Sequence, residues 1–345
     1  MKKAISLLMV LVSAMAFSSC GSLHFGGIRI DKKHFPDTGL WNAVRGFDSN
    51  RNGYLNSKEI EEAKSIVIWD ECSDLSGIEY LPNLETVIVA HCQCSDLSGV
   101  KDLTNLKTLS FQDHCPDLSG LEDLTNLEEL SLYQCVFNET YVFDNESSVI
   151  DLKFKTCVFE QGITFRNAHV ENVTFEYCAL GGDVDFSDCD GLINFEADFD
   201  PNADALFNDL YDDGYDHDYF DALSEQSYNV DLSGCDNLDY ARIKNGQVIN
   251  SVDLSDCSVL RVISLSDLYY YGEEAINEAT LNISGSPNIE YAHINLWGIN
   301  ELDISDCPHL ISATEQTPSG GDSHIEYESE DGYLYSLNEL VVIIK

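Results

Sequence analysis

The stretch Asp48-Ser49-Asn50-Arg51-Asn52-Gly53-Tyr54-Leu55-Asn56-Ser57-Lys58-Glu59 places oxygen-bearing side chains at a spacing suited to one kind of chemistry. A hard divalent cation such as Ca²⁺ takes roughly six to eight oxygen ligands, and this stretch offers them in order. Asp48, Asn50 and Asn52 provide side-chain oxygens, Tyr54 a backbone carbonyl, Asn56 a direct or water-mediated contact, and Glu59 both carboxylate oxygens. Gly53 permits the sharp turn in the middle. Only two of these donors are charged, and Arg51 and Lys58 sit within the loop, so the expected affinity is weak, ~10⁻⁴–10⁻³ M. That range suits extracellular calcium rather than signalling.

The spacing resembles the EF-hand loop, and helices on both sides must hold it. Leu40, Val44 and Phe47 share one helical face before the loop, and Ile60 with Ala63 follows it. EF-hands usually pair, and no second loop is present. The exiting helix runs straight into Ile66 and Ile68, so residues 34–65 are expected to form a cap over whatever begins there.

Upstream, Lys2 and Lys3 followed by the apolar run Ala4 to Phe17 read as a signal peptide over residues 1–19. The sequence Phe17-Ser18-Ser19-Cys20-Gly21 resembles the lipobox of bacterial lipoproteins, which makes Cys20 the expected lipidation site and residues 20–33 a tether. The expected location is the bacterial cell envelope, at the outer membrane or cell surface, with membrane contact only through the anchor. Sixty-one acidic against 18 basic residues give a formal charge of −43, which argues against nucleic acid as a partner.

From residue 66 to about 315 the chain repeats. Asp74-Leu75-Ser76, Asp96-Leu97-Ser98 and Asp117-Leu118-Ser119 recur as Asp185-Phe186-Ser187, Asp231-Leu232-Ser233, Asp253-Leu254-Ser255, Asn282-Ile283-Ser284 and Asp303-Ile304-Ser305. Steps of 68 and 46 residues read as three and two coils, and a step of 29 as one coil with an insertion. A second register, Leu84/Val87/Val89 through Leu310/Ala313, marks strands with alternating inward residues. Each coil of about 22 residues has an apolar edge that only a neighbour can bury, so about twelve coils should stack into a rod on the order of 55 Å long. The early coils carry an extra Pro/Thr-Asn-Leu step, which predicts a short helical or 3₁₀ turn that the later coils lack.

Residues 74–135 resemble internalin-type leucine-rich repeats, and the later copies resemble the degenerate repeats of bacterial surface lipoproteins. The resemblance implies an α/β repeat solenoid, a leucine-rich-repeat fold that is strand-rich with few short helices, and a general binding role. Cys92, Cys115, Cys135, Cys157 and Cys178, then Cys235, Cys257 and Cys307, recur once per repeat; such a ladder reads as buried free thiols, with isolated bridges left open. Residues 198–225 form an acidic insertion with ten acids and no Lys or Arg, either a solvated loop or a second cation site on Asp198, Asp200, Asn202 and Asp204. Residues 316–345 read as closing strands.

No catalytic constellation emerges from the motifs, so an enzyme is not expected. The expected activity is binding of a protein partner, or adhesion, through outward strand residues: Glu129, Ser131, Tyr133, Lys153, Lys155, Tyr240, Arg242, Tyr291 and His293. Glycan binding and a purely structural envelope role are the alternatives. The Asp of each Asp-Leu-Ser unit is either a turn-capping residue or part of a cation-binding stripe.

Overall fold

The computed structural model describes residues 27–95, 97–114, 117–118, 121–143, 148–165, 170–199, 219, 222–223, 226–245, 248–266, 279–295, 299–308, 324–328, 333–335 and 341–343. The expected signal peptide, Cys20, Cys115, the strand at Leu310/Ala313 and most of the acidic insertion lie outside the described residues.

Alternation of apolar and polar side chains along each coil builds a solenoid of stacked strands. Ten parallel strands, from Ser65–Ile68 to Tyr291–Asn295, form one long sheet. Its inward residues line up in rungs. Val87, Leu109, Leu130, Leu152, Val173, Phe195, Ala241, Ile263 and Ala292 follow one another in register and are buried. The early coils close with 3₁₀ turns at Ile78–Tyr80 and Leu121–Asp123, as their longer Asn-Leu step predicts.

Two expectations about the coil count change. Val184–Asp185 pairs directly with Val230–Asp231, and Asn194–Phe199 with Tyr240–Asn245, so the 46-residue step is one coil carrying an insertion, not two drifted coils. Ten described coils at ~4.8 Å spacing make a rod on the order of 45 Å. The insertion also starts later than the composition suggests: Asp198 and Phe199 belong to the strand Asn194–Phe199, and Phe199 is buried in the core.

The cross-section is not uniform along the rod. A second sheet runs from Tyr141–Phe143 to Val341–Ile343, and a third, of Val136–Phe137, Val158–Phe159 and Ala179–Leu180, occurs among the described residues in the middle coils. Three sides enclose a wider core than two, and large rings fill it. Phe137 stacks on Phe159 at 4.7 Å, Phe154 on Phe175 at 5.0 Å and Phe165 on Phe186 at 4.2 Å between centroids. The third sheet stops where the insertion leaves the rod. In the next coil only residues 246 and 247 separate the long-sheet strand Tyr240–Asn245 from the second-sheet strand Val248–Asp253, which leaves no chain there for a third side.

The ten described cysteines are free and buried. They form two ladders rather than one. Cys135, Cys157 and Cys178 follow long-sheet strands, whereas Cys189, Cys235, Cys257 and Cys307 follow second-sheet strands. Each residue just before these cysteines is left-handed: Gln134, Thr156 and Tyr177 in one ladder, Asp188, Gly234, Asp256 and Asp306 in the other. The turned-in thiols donate to carbonyls of the preceding coil, as Cys157 does to Leu132 at 3.3 Å and Cys257 to Leu232 at 3.2 Å. Ser286 takes the cysteine position in its coil, buried and donating to Leu254 at 2.9 Å.

At the N-terminal end, β1 (Ile28–Arg29), α1 (Thr38–Val44), β2 (Tyr54–Leu55) and α2 (Ser57–Glu62) precede β3 (Ser65–Ile68). Asp37 caps α1 by accepting from Leu40 N, and its other oxygen accepts from Ser73 N of the first coil. A Cβ on Gly39 would lie 2.6 Å from the Glu71 carbonyl, so only glycine lets α1 approach the first coil this closely. Leu40 and Val44 are fully buried. The C-terminal segments close both sheets: His324–Glu328 and Tyr333–Tyr335 add antiparallel strands to the long sheet, and Val341–Ile343 adds a parallel strand to the second.

Candidate functional site

The loop from Asp48 to Glu59 is held by α1 and its 3₁₀ extension Arg45–Phe47 on one side and by α2 on the other. Two backbone requirements shape it. Gly53 has φ +81 and open space where a Cβ would point, so its freedom is used for the dihedral rather than for packing. Arg51, at φ 57, takes the same left-handed region at a cost of roughly 1–2 kcal/mol for a non-glycine residue.

Within the loop the side chains expected to ligate are already engaged. The Asp48 carboxylate accepts from Asn52 N at 3.1 Å and Gly53 N at 2.8 Å. Asn52 Oδ1 accepts from Tyr54 N, and Asn56 Oδ1 caps α2 by accepting from Lys58 N and Glu59 N. Glu59, 5% exposed, is the hub. Its Oε1 accepts from the Ser49 amide and hydroxyl and from the Asn50 amide and Nδ2, and its Oε2 from the Asn56 amide and Nδ2. The Asn56 amide above all, with the Ser49 hydroxyl and the Asn50 and Ser49 amides, outweighs burial and holds the Glu59 carboxyl below the usual range.

Asp48, Asn50, Asn52, Tyr54, Asn56 and Glu59 are oxygen-bearing residues of one loop, the donor type a calcium ion takes, but here Asn50 and Asn56 turn their Nδ2 toward Glu59, whose oxygens already accept six hydrogen bonds. Among the described residues no three His, Cys, Asp or Glu side chains gather as a metal cluster. The spacing of the loop gave no warning of Ser49 as a Glu59 partner. Nor did it show that β1, inside the expected tether, pairs antiparallel with β2, Ile28 opposite Leu55 and Arg29 opposite Tyr54.

The outward face of the long sheet groups the other candidates into two patches. Tyr133 and Lys155 are register neighbours, and Lys153 lies beside Ser131. Lys153 reaches Glu129 at 2.8 Å, and Lys155 reaches Glu176 at 3.1 Å, each carboxylate raising its ammonium above the usual lysine value. Tyr240 and Arg242 sit on one strand, with Tyr291 and His293 two strands on, in the same columns. Burial, then Glu196 nearby, pushes the Tyr240 hydroxyl up. Three strand spacings, ~14 Å, separate Lys153 from Arg242, with Thr174 and Glu196 between them. Ser131, expected on the surface, is 4% exposed beneath its neighbours. Trp69, at 73%, and Tyr177, at 39%, are exposed aromatics that the strand alternation did not single out.

In the later described coils the Asp of the Asp-x-Ser unit is a capping residue. Asp185, Asp231, Asp253 and Asp303, and Asn282 in the same column, each accept through Oδ1 from the amide and hydroxyl of the serine two residues on. The Asn of the Asn-Leu step has a matching role between coils, Asn105 donating to the Pro82 carbonyl at 2.9 Å and Asn126 to the Thr104 carbonyl at 2.5 Å. Asp198, one of the residues considered for a second cation site, pairs with Lys244 at 3.3 Å; Asp200, Asn202 and Asp204 lie outside the described residues.

No protein-family model matches the chain, and no curated protein matches it. Among solved structures it is similar to an internalin from Listeria monocytogenes strain 4b F2365, at 15% identity over 82% of this chain and 93% of that one, with a TM-score of 0.31. The solenoid architecture itself stands on the strand registers above.

Proposed function

We propose that this chain is a non-catalytic binding protein of the cell envelope that presents the long sheet to a protein partner, with a structural calcium ion in its N-terminal cap. The observation that carries the reading is the outward face: aromatic and cationic side chains spaced on a rigid ladder of strands, with their inward neighbours fully buried. A preorganised face of this kind loses little conformational entropy on binding. The helix–loop–helix over the first coil is the EF-hand-like cap, and calcium would tie its two helices together at the open end of the rod. Lipidation of Cys20 would fix that end to the membrane.

The test is a pair of binding screens, one against surface proteins and one against glycans, with the full chain and a Lys153→Glu/Lys155→Glu/Tyr133→Ala variant. A protein ligand bound by the parent and lost in the variant supports the reading. Exposed Trp69 favours glycan recognition as the second reading; a glycan hit abolished by Trp69→Ala and untouched by the triple variant would replace the first.

A further inference from the structure

The cap differs from the rod in charge. Residues 27–64 hold seven Lys and Arg against six Asp and Glu, whereas residues 65–345 hold nine against 55. In a chain this acidic most described cations are paired: Arg29 with Asp31, Lys64 with Glu85, Lys155 with Glu176, Arg261 with Asp239. Arg45 and Arg51, like Lys32, Lys33, Lys101 and Arg242, have no carboxylate within ion-pair distance among the described residues, and these two arginines line one cavity of about 820 Å³.

That cavity is walled by Ile30, Trp41, Gly46, Ser49 and Gly53. The Arg45 guanidinium is held 4.7 Å from the Trp41 ring centroid, and Lys32 Nζ is 5.4 Å from the same ring. Trp41 is fixed in turn by its Nε1 donating to the Ile30 carbonyl at 3.3 Å. The one carboxylate in the wall, Asp48, accepts from the Asn52 and Gly53 amides. The Trp41 ring holds the Arg45 guanidinium beside it and Arg51 stands on a left-handed turn in the same wall, so the cavity offers two guanidinium groups to one oxyanion.

We infer that this cavity seats the phosphate of an anionic lipid headgroup, holding the cap against a membrane while the acidic rod points away. The screening length of ~8 Å at physiological salt separates the two charges: coils further than that along a rod on the order of 45 Å contribute little repulsion at the cap. The inference does not depend on calcium.

The full chain carrying Cys20→Ser, in chelator, is incubated with vesicles of phosphatidylcholine and of phosphatidylcholine mixed with phosphatidylglycerol, and separately with inorganic phosphate. Binding is expected to the mixed vesicles alone and to vanish between about 0.1 M and about 1 M salt. Arg45→Glu and Arg51→Glu should each weaken it at least about fivefold, and Lys101→Glu should not. Arg51→Gln, at an exposed turn, guards against a folding defect in the reversals; it should weaken binding with an unchanged melting curve. Folded variants that bind as the parent does would overturn the inference. So would phosphate binding without vesicle binding, which would point to a free anion instead.

Discussion

Glu59 accepts six hydrogen bonds on one carboxylate, and two come from the side-chain amides of Asn50 and Asn56. To ligate calcium these asparagines must present oxygen, not nitrogen, so under the proposed function their amides turn over as the ion arrives. Turning Asn50 would give up its side-chain bond to Glu59, whereas turning Asn56 would also take its Oδ1 off the Lys58 and Glu59 amides that cap α2. Asn50→Asp separates the effects. Calorimetry should show tighter calcium binding than the parent, because a carboxylate replaces an amide. Without calcium the same variant should melt earlier, because its carboxylate faces Glu59. Glu59→Ala should abolish the calcium heat. A parent that gives no calcium heat at all would mean that the loop holds no metal.

At the scale of elements, the third sheet and its rings should dominate stability. Phe159 is fully buried and meets Phe137, Phe154 and Phe175. Phe159→Ala should cost about 3–5 kcal/mol of unfolding free energy, since its neighbours are anchored in two sheets, Phe137 in the third and Phe154 and Phe175 in the long one, and cannot collapse into the space. Chemical denaturation followed by circular dichroism measures it. A loss below about 1 kcal/mol would mean that the middle coils are not packed as described.

For the whole molecule the question is how so acidic a rod tolerates pH. Glu59 is held below the ordinary carboxylate range, foremost by the Asn56 amide. Asp37 is also lowered: burial opposes this, but the Leu40 and Ser73 amides outweigh it. Both groups have folded values below their unfolded ones. Their contribution is complete above the unfolded carboxylate range, about pH 4, and is lost as pH falls through the lowered folded values. Protonating the surplus acids of the rod relieves repulsion over the same interval, an opposite effect that salt screens. At about 0.15 M salt the local bonds should win in the cap. Hydrogen exchange should show residues 37–62 losing protection below about pH 4 before the middle coils do. Simultaneous loss in both regions would argue against a separately titrating cap.

Periodicity, and residue type at a fixed spacing, already specify much of this protein in one dimension. The coil register, the inward ladder, the capping Asp-x-Ser units and the oxygen-rich loop were all legible, because each is a local pattern repeated or closed within about a dozen residues. Features that depend on which coil a residue meets emerged only in three dimensions. The 46-residue step became one coil because Asp185 faces Asp231. The cysteine ladder became two, because thiols at similar spacings come after strands of different sheets. Short segments such as Val136–Phe137 carry too few residues to show alternation, so the third sheet was invisible until neighbouring coils brought three of them together. The pairing of β1 with the loop escaped notice for the same reason: two residues hold no periodicity, and only contact across the fold gives them a partner.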